Sequence, residues 1–229
     1  MYYFDPLYFL FIGPAVLLSL WAQWRISSAY RRASRIPASR GLTGAQTAAA
    51  ILCEANVAGV RIAGVAGELT DHYSPGEKVL RLSEGVYDGR SLAAQGIAAH
   101  EVGHAIQDDR RYPLLVVRNL IVPLAGFGGS VGMLIIIAGF ALAFTGLIYV
   151  GIAVFSLTAL FQIVNLPVEF DASRRAKEEL LKAGIIRPEE EPEIARVLNA
   201  AALTYVAATL MSVLTVAYFL FRAGAFNRR

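Results

Sequence analysis

Residues 119–168 read NLIVPLAGFG GSVGMLIIIA GFALAFTGLI YVGIAVFSLT ALFQIVNLPV, without one Asp, Glu, Lys, Arg or His. A helix needs about 20 apolar residues to cross a hydrocarbon core. This stretch is too long for one crossing and suits two helices turned back near residues 139–146. Its first part holds Pro123, Gly126, Gly128, Gly129 and Gly132. In a membrane that composition implies close helix packing or an irregular entry.

Two more apolar runs flank the hairpin. Residues 6–24 are edged by Tyr2, Tyr3, Trp21 and Trp24 as interfacial aromatics. A cleavable signal would carry Lys or Arg ahead of the run. Here Asp5 is the only early charge, and Arg25, Arg31, Arg32, Arg35 and Arg40 follow, so the run reads as a retained anchor. Residues 198–221 are also uncharged but richer in Thr, Ser and Ala; a fourth span is expected, a surface-lying helix being the alternative. Arg110, Arg111 and Arg118 before the hairpin, and Arg174, Arg175, Lys177 and Lys182 after it, put both polar segments in the cytoplasm and the N-terminus outside. Arg222, Arg228 and Arg229 count against that orientation.

Composition fits this division. Hydrophobic residues make up 56% and charged residues 17%, against roughly 25% charged in soluble domains. The net charge of +3 sits at the ends of apolar runs, which points to a lipid bilayer as partner and not to nucleic acid. A single cysteine, Cys53, excludes internal disulfides and a thiolate metal cluster. The expected plan is an N-terminal anchor (1–24), a cytoplasmic catalytic segment (25–118), a transmembrane hairpin (119–165), a cytoplasmic helix (166–197), a C-terminal transmembrane helix (198–222) and a tail (223–229).

Within the polar segments, Thr43 and Gln46 form a capping box that opens a helix over about 44–57. Residues 60–65, 68–71 and 78–82 read as short strands, the last two joined by Ser74-Pro75-Gly76. Ser91 caps a helix running to about Asp109. Pro167 is expected to start another, ending at Gly184. Residues 187–193 read as a short linker.

The second of these helices contains Ala99-His100-Glu101-Val102-Gly103-His104-Ala105, an H-E-x-x-H sequence. Residues four apart share a helix face, about 5–6 Å between Cβ atoms. Two imidazoles at that spacing reach one tetrahedral Zn2+, and Glu101 is placed to take a proton from its water. A third protein ligand is needed. The three-histidine class is excluded because Gln107 and Arg110 hold the positions it requires. The remaining pattern takes a carboxylate from a later helix: Glu169 first, Asp171 second, Asp171 alternatively orienting a ligand imidazole. His72 has three open roles, as oxyanion donor, third ligand or turn residue. Tyr73 and Tyr205 are weaker oxyanion candidates. The strand over 78–82 is expected to offer an edge to an extended substrate.

Several segments together carry a family resemblance. They are Thr70-Asp71-His72-Tyr73, Leu82-Ser83-Glu84-Gly85-Val86-Tyr87, residues 98–107 around the zinc motif, residues 166–173, and residues 201–208. In that order they resemble the YugP-type family of neutral zinc metallopeptidases of bacterial membranes. That family in turn looks like a relative of the membrane-bound gluzincins. The resemblance implies a peptidase with a cytoplasmic zinc site. In gluzincins an aspartate stands four residues after the glutamate ligand; here Ser173 holds that place and the acid is Asp171.

The fold expected is therefore a mainly α membrane protein of about four transmembrane helices with a small cytoplasmic α+β domain of zincin type. The function expected is a multi-pass zinc metalloendopeptidase of the bacterial plasma membrane acting on peptide or protein substrates. Its ligands are His100, His104 and Glu169; Glu101 is the base and His72 a further catalytic candidate. The alternative is a membrane scaffold or chaperone keeping a zinc site, against which the retained Glu101 argues. An intramembrane protease is excluded because Arg90, Asp108, Asp109, Arg110 and Arg111 flank the motif helix. A transporter is disfavoured by spans without ionisable groups.

Overall fold

The computed structural model describes residues 5–224; Tyr2, Tyr3, Arg228 and Arg229 lie outside them. Among the described residues seven helices and three strands follow in order: α1 (Pro6–Ala33), α2 (Gly44–Glu54), β1 (Arg61–Val65), β2 (His72–Ser74), β3 (Val79–Ser83), α3 (Glu84–Tyr87), α4 (Leu92–Asp109), α5 (Pro113–Ala141), α6 (Thr145–Lys182) and α7 (Glu191–Arg222). Four of them, α1, α5, α6 and α7, are long and apolar enough to cross a membrane. The chain is thus mainly helical with a small three-stranded sheet. It divides into two compact units, one of residues 1–23, 116–167 and 203–229, the other of residues 24–115 and 168–202.

In the first unit α5 and α6 form the hairpin. Its turn carries Ala143 at φ 52°. α5 runs on as a helix with Pro123 inside it, and Gly128, Gly129, Gly132 and Gly139 serve close packing, whereas Gly126 faces open space. A Cβ on Gly132 would lie 2.5 Å from the Phe155 nitrogen, and one on Gly128 2.7 Å from the Val154 carbonyl oxygen. Neither side chain fits. Thr158 Oγ1 donates across the pair to the Ala125 carbonyl at 2.9 Å. Ile136, Ile148, Ile152 and Phe155 form the core of this unit.

The second unit places the sheet against α2, α3 and α4. Thr43 and Gln46 make both halves of the expected capping box. Ser91 Oγ accepts from the Ala94 N–H and opens α4. Strand order is β1-β3-β2, with β1 parallel and β2 antiparallel to β3. Buried Leu80 and Leu82 pack the sheet into a core with Ile51, Val86, Val102 and Ile106.

Several expectations need correction. β3 is the central strand, hydrogen-bonded on both sides, so the segment over 78–82 has no edge to offer; β2 is one edge. Residues 68–71 form a bend and irregular chain, not a strand. Gly67 (φ 107°) and Leu69 (φ 56°) break the ladder there, and the Asp71 carboxylate instead takes the Ser83 N–H at 2.7 Å. Pro167 does not start a helix but lies inside α6. A proline costs one helical hydrogen bond, a cost that spans tolerate when neighbours re-satisfy the freed carbonyl. α7 starts at Glu191, several residues early, because Glu190 shortens the linker by accepting the Arg187 N–H at 2.8 Å. α1 runs nine residues past Trp24.

Candidate metal centre

α4 presents His100 and His104 one turn apart, and α6 brings Glu169 up to them. Glu169 Oε2 lies 3.3 Å from His100 Nε2 and 3.5 Å from His104 Nε2. These donor atoms all lie within 4.8 Å of one another, the single such group among the described residues. The approach depends on Gly103, on the face of α4 turned to α6. A Cβ there would fall 2.6 Å from the Ala172 carbonyl oxygen. Any side chain would push α6 away and carry Glu169 with it. The sequence shows this residue only as an uncharged position within the motif.

Each imidazole is held from behind. Gln107, fully buried, donates through Nε2 to the Val168 carbonyl at 2.8 Å and to Asp171 Oδ2 at 2.9 Å. With two acceptors on that side, the amide can face His104 only with its oxygen, and Oε1 lies 3.0 Å from His104 Nδ1. His104 therefore carries its proton on Nδ1 and turns a bare Nε2 toward Glu169. Ser173 Oγ lies 3.1 Å from His100 Nδ1. So Ser173 takes one histidine directly, and Asp171 reaches the other through Gln107. Asp171 is itself fixed by Arg174 and by Arg175 Nε at 2.6 Å. Gln107 was missed as a functional residue; its i+3 spacing from His104 is the signal that could have found it.

The donor set fits a tetrahedral cation. Ligands about 2.0–2.1 Å from zinc stand about 3.3–3.4 Å apart, close to the spacings above. Glu169 Oε2 is buried without a hydrogen-bond partner and faces the bare Nε2 of His104, an arrangement that is repulsive until a positive charge enters. The His104 pKa carries the same message. Burial alone would lower it, but the Glu169 and Glu101 carboxylates prevail and raise it.

Glu101 is buried beside the ligands, its Oε2 accepting the Tyr73 N–H at 2.9 Å. That bond ties the carboxylate to β2. The Tyr73 hydroxyl donates to Asp108 at 2.8 Å, and Lys78 Nζ lies 3.0 Å from the same oxygen. Burial and the Asp108 charge raise the Tyr73 pKa, so the phenol stays protonated and engaged, leaving it poorly suited to an oxyanion. His72 lies outside the donor cluster, exposed at the start of β2, with Nδ1 2.8 Å from the Thr70 carbonyl. A carbonyl only accepts, so Nδ1 holds the proton, and Nε2 donates only when the ring is an imidazolium. Tyr205 is carried by α7 in the other unit.

A family model described as "Putative neutral zinc metallopeptidase" matches residues 8–224. The chain belongs to that family. A relative named "Putative membrane protease YugP", from Bacillus subtilis (strain 168), is 46% identical over 212 residues, covering 92% of this chain and 94% of its own length. No solved structure matches. The zinc in the family's description is the ion to which the His-His-Glu set is suited.

Proposed function

We propose that this protein is a zinc metalloendopeptidase of the bacterial plasma membrane, with its site on the cytoplasmic side in a zincin-like domain. The observation that carries the reading is the convergence of His100, His104 and Glu169 beside a buried Glu101 anchored to an edge strand. A zinc ion held by those three residues would polarise a water and the scissile carbonyl.

Glu101 takes the proton of the attacking water and returns it to the leaving amine. The Tyr73 N–H keeps its carboxylate from swinging toward the histidines. β2 is an edge strand whose Tyr73 N–H is already taken by Glu101; its remaining outward main-chain groups would pair with an extended substrate and lay that chain along Glu101. Gln107 and Ser173 hold the two imidazoles through their Nδ1 atoms. His72, on the same strand, would donate to the oxyanion. The cytoplasmic placement follows the arginine and lysine distribution.

The test is cleavage of an unfolded protein by detergent-purified, zinc-loaded enzyme beside Glu101→Gln. Activity in the first and its loss in the second, at equal zinc content, supports the assignment. Equal activity in both overturns Glu101 as the base. Zinc binding without cleavage in either favours a scaffold that keeps its metal.

A further inference from the structure

The four long helices contain more polar surface than an inert anchor requires. In the unit of residues 1–23, 116–167 and 203–229, a cavity of about 310 Å³ is lined by α1, α6 and α7. Ser19 and Gln23 line it from α1, Gln162 from α6, and Thr204 and Ser212 from α7. Ala207 and Ala208 present only methyl groups to it, which leaves the room. Gln162 gives its main-chain carbonyl to Thr209 Oγ1 at 3.2 Å, but neither its side-chain amide nor that of Gln23 has a partner among the described residues. Ser19 and Ser212 donate to the Ala15 and Ala208 carbonyls, so their oxygens retain lone pairs that can accept. Gln23, exposed at the interfacial end of its span beside Trp24, and half-buried Gln162 thus bring two amides with open hydrogen-bonding capacity to one groove.

The chemistry of this lining selects its occupant. No lining residue is charged, so nothing recognises a phosphate or carboxylate headgroup. Amides and hydroxyl acceptors match the N–H and C=O groups of a peptide backbone. A membrane helix satisfies those groups internally and has no use for such a groove; an unwound segment exposes them in hydrocarbon and needs it. The α7 residues from Thr204 to Ser212 cover about 12 Å at 1.5 Å per residue. An extended chain of about four residues has that length.

We propose that this groove binds the unwound, extended backbone of a membrane-inserted substrate chain, an inference that rests on the peptidase reading above. It makes membrane proteins with a helix-breaking segment near one end of a span the substrate class.

The test uses the full-length protein in phosphatidylcholine nanodiscs. The probe is a synthetic poly-leucine spanning peptide interrupted by Asn-Pro-Gly-Ser, compared with the uninterrupted peptide. A photoreactive residue replacing Met211, in a Glu101→Gln background, reports binding without catalysis. Preferential cross-linking to the interrupted peptide, falling about tenfold for each of Gln23→Leu and Gln162→Leu, is expected. Equal cross-linking to both peptides, or to lipid in preference to either, overturns the proposal even if the protein is a peptidase. In the Glu101-intact enzyme the double variant should lower kcat/KM for a membrane-tethered substrate and leave a soluble unfolded one unchanged. An equal loss on both substrates counts against the groove and for a folding defect.

Discussion

Replacing Gln107 with Leu should weaken zinc binding without removing any ligand. The side chain is fully buried and makes three contacts, accepting from His104 Nδ1 and donating to Asp171 and the Val168 carbonyl. Leucine matches its bulk but offers no acceptor. Asp171 keeps Arg174 and Arg175, so the damage concentrates on His104. Its Nδ1 proton is left buried without a partner, and the opposite tautomer, with Nε2 protonated toward Glu169, becomes competitive. Loss of an outer partner of this kind costs about 10–100-fold in metal affinity, or roughly 1.4–2.7 kcal/mol.

The assay is chelator competition on detergent-purified protein, with the visible spectrum of the cobalt-substituted form as a second readout of ligand geometry. Gln107→Glu combined with Asp171→Asn re-creates an acceptor toward His104 and a donor from residue 171, at the cost of the Val168 carbonyl's partner, and should recover part of the loss. Zinc affinity of Gln107→Leu within twofold of the wild type would refute the argument that the amide fixes the histidine. So would a double variant no better than the single one alongside an unchanged cobalt spectrum.

Gly103→Ala should reduce zinc occupancy, because its Cβ would sit 2.6 Å from the Ala172 carbonyl; overpacking of that kind costs about 1–3 kcal/mol, and metal analysis with thermal unfolding reads both effects. His72→Gln should leave zinc content unchanged and lower kcat without moving the thermal midpoint; a midpoint that falls in step with kcat would point to a structural role. Glu190→Gln should destabilise the fold by about 1 kcal/mol, by weakening acceptance from the Ser39 N–H, the Ser39 hydroxyl and the Arg187 N–H. Burial opposes the Glu190 charge, but these donors hold its pKa below the ordinary 4.5. The contribution is thus present above about that pH and fades as pH falls through the lowered value; midpoints measured at pH 7 and pH 4 should differ less in the variant than in the wild type.

Much of this protein was legible in its residues because the signals are local. A charge-free run of residues 119–168 must fold as helices in lipid whatever surrounds it. Two histidines four apart on a helix share a face by helical geometry alone, and the Thr43 capping box, the Ser91 cap and the hairpin turn are set within a few residues. Where expectation failed, a longer-range term prevailed. Residues 68–71 have strand-like neighbours, yet Asp71 is taken up by Ser83, twelve positions on. Pro167 has the sequence signature of a helix start and is overridden by the helix that continues through it.

Sequence alone determined the membrane-compatible helices, the candidate metal-binding pair and the position of the proposed general base, since each depends on composition or on spacing within one element. Tertiary structure decided which carboxylate completes the set, bringing Glu169, 65 residues after His104, to within 3.5 Å of both imidazoles. It also made β2 and not β3 an edge strand, and made Gln107 and Ser173, read from the sequence only as departures from other families' patterns, the partners of the two histidines. Those outcomes depend on how α4, α6 and the sheet pack. Packing is a property of elements far apart in the chain, which no local pattern encodes.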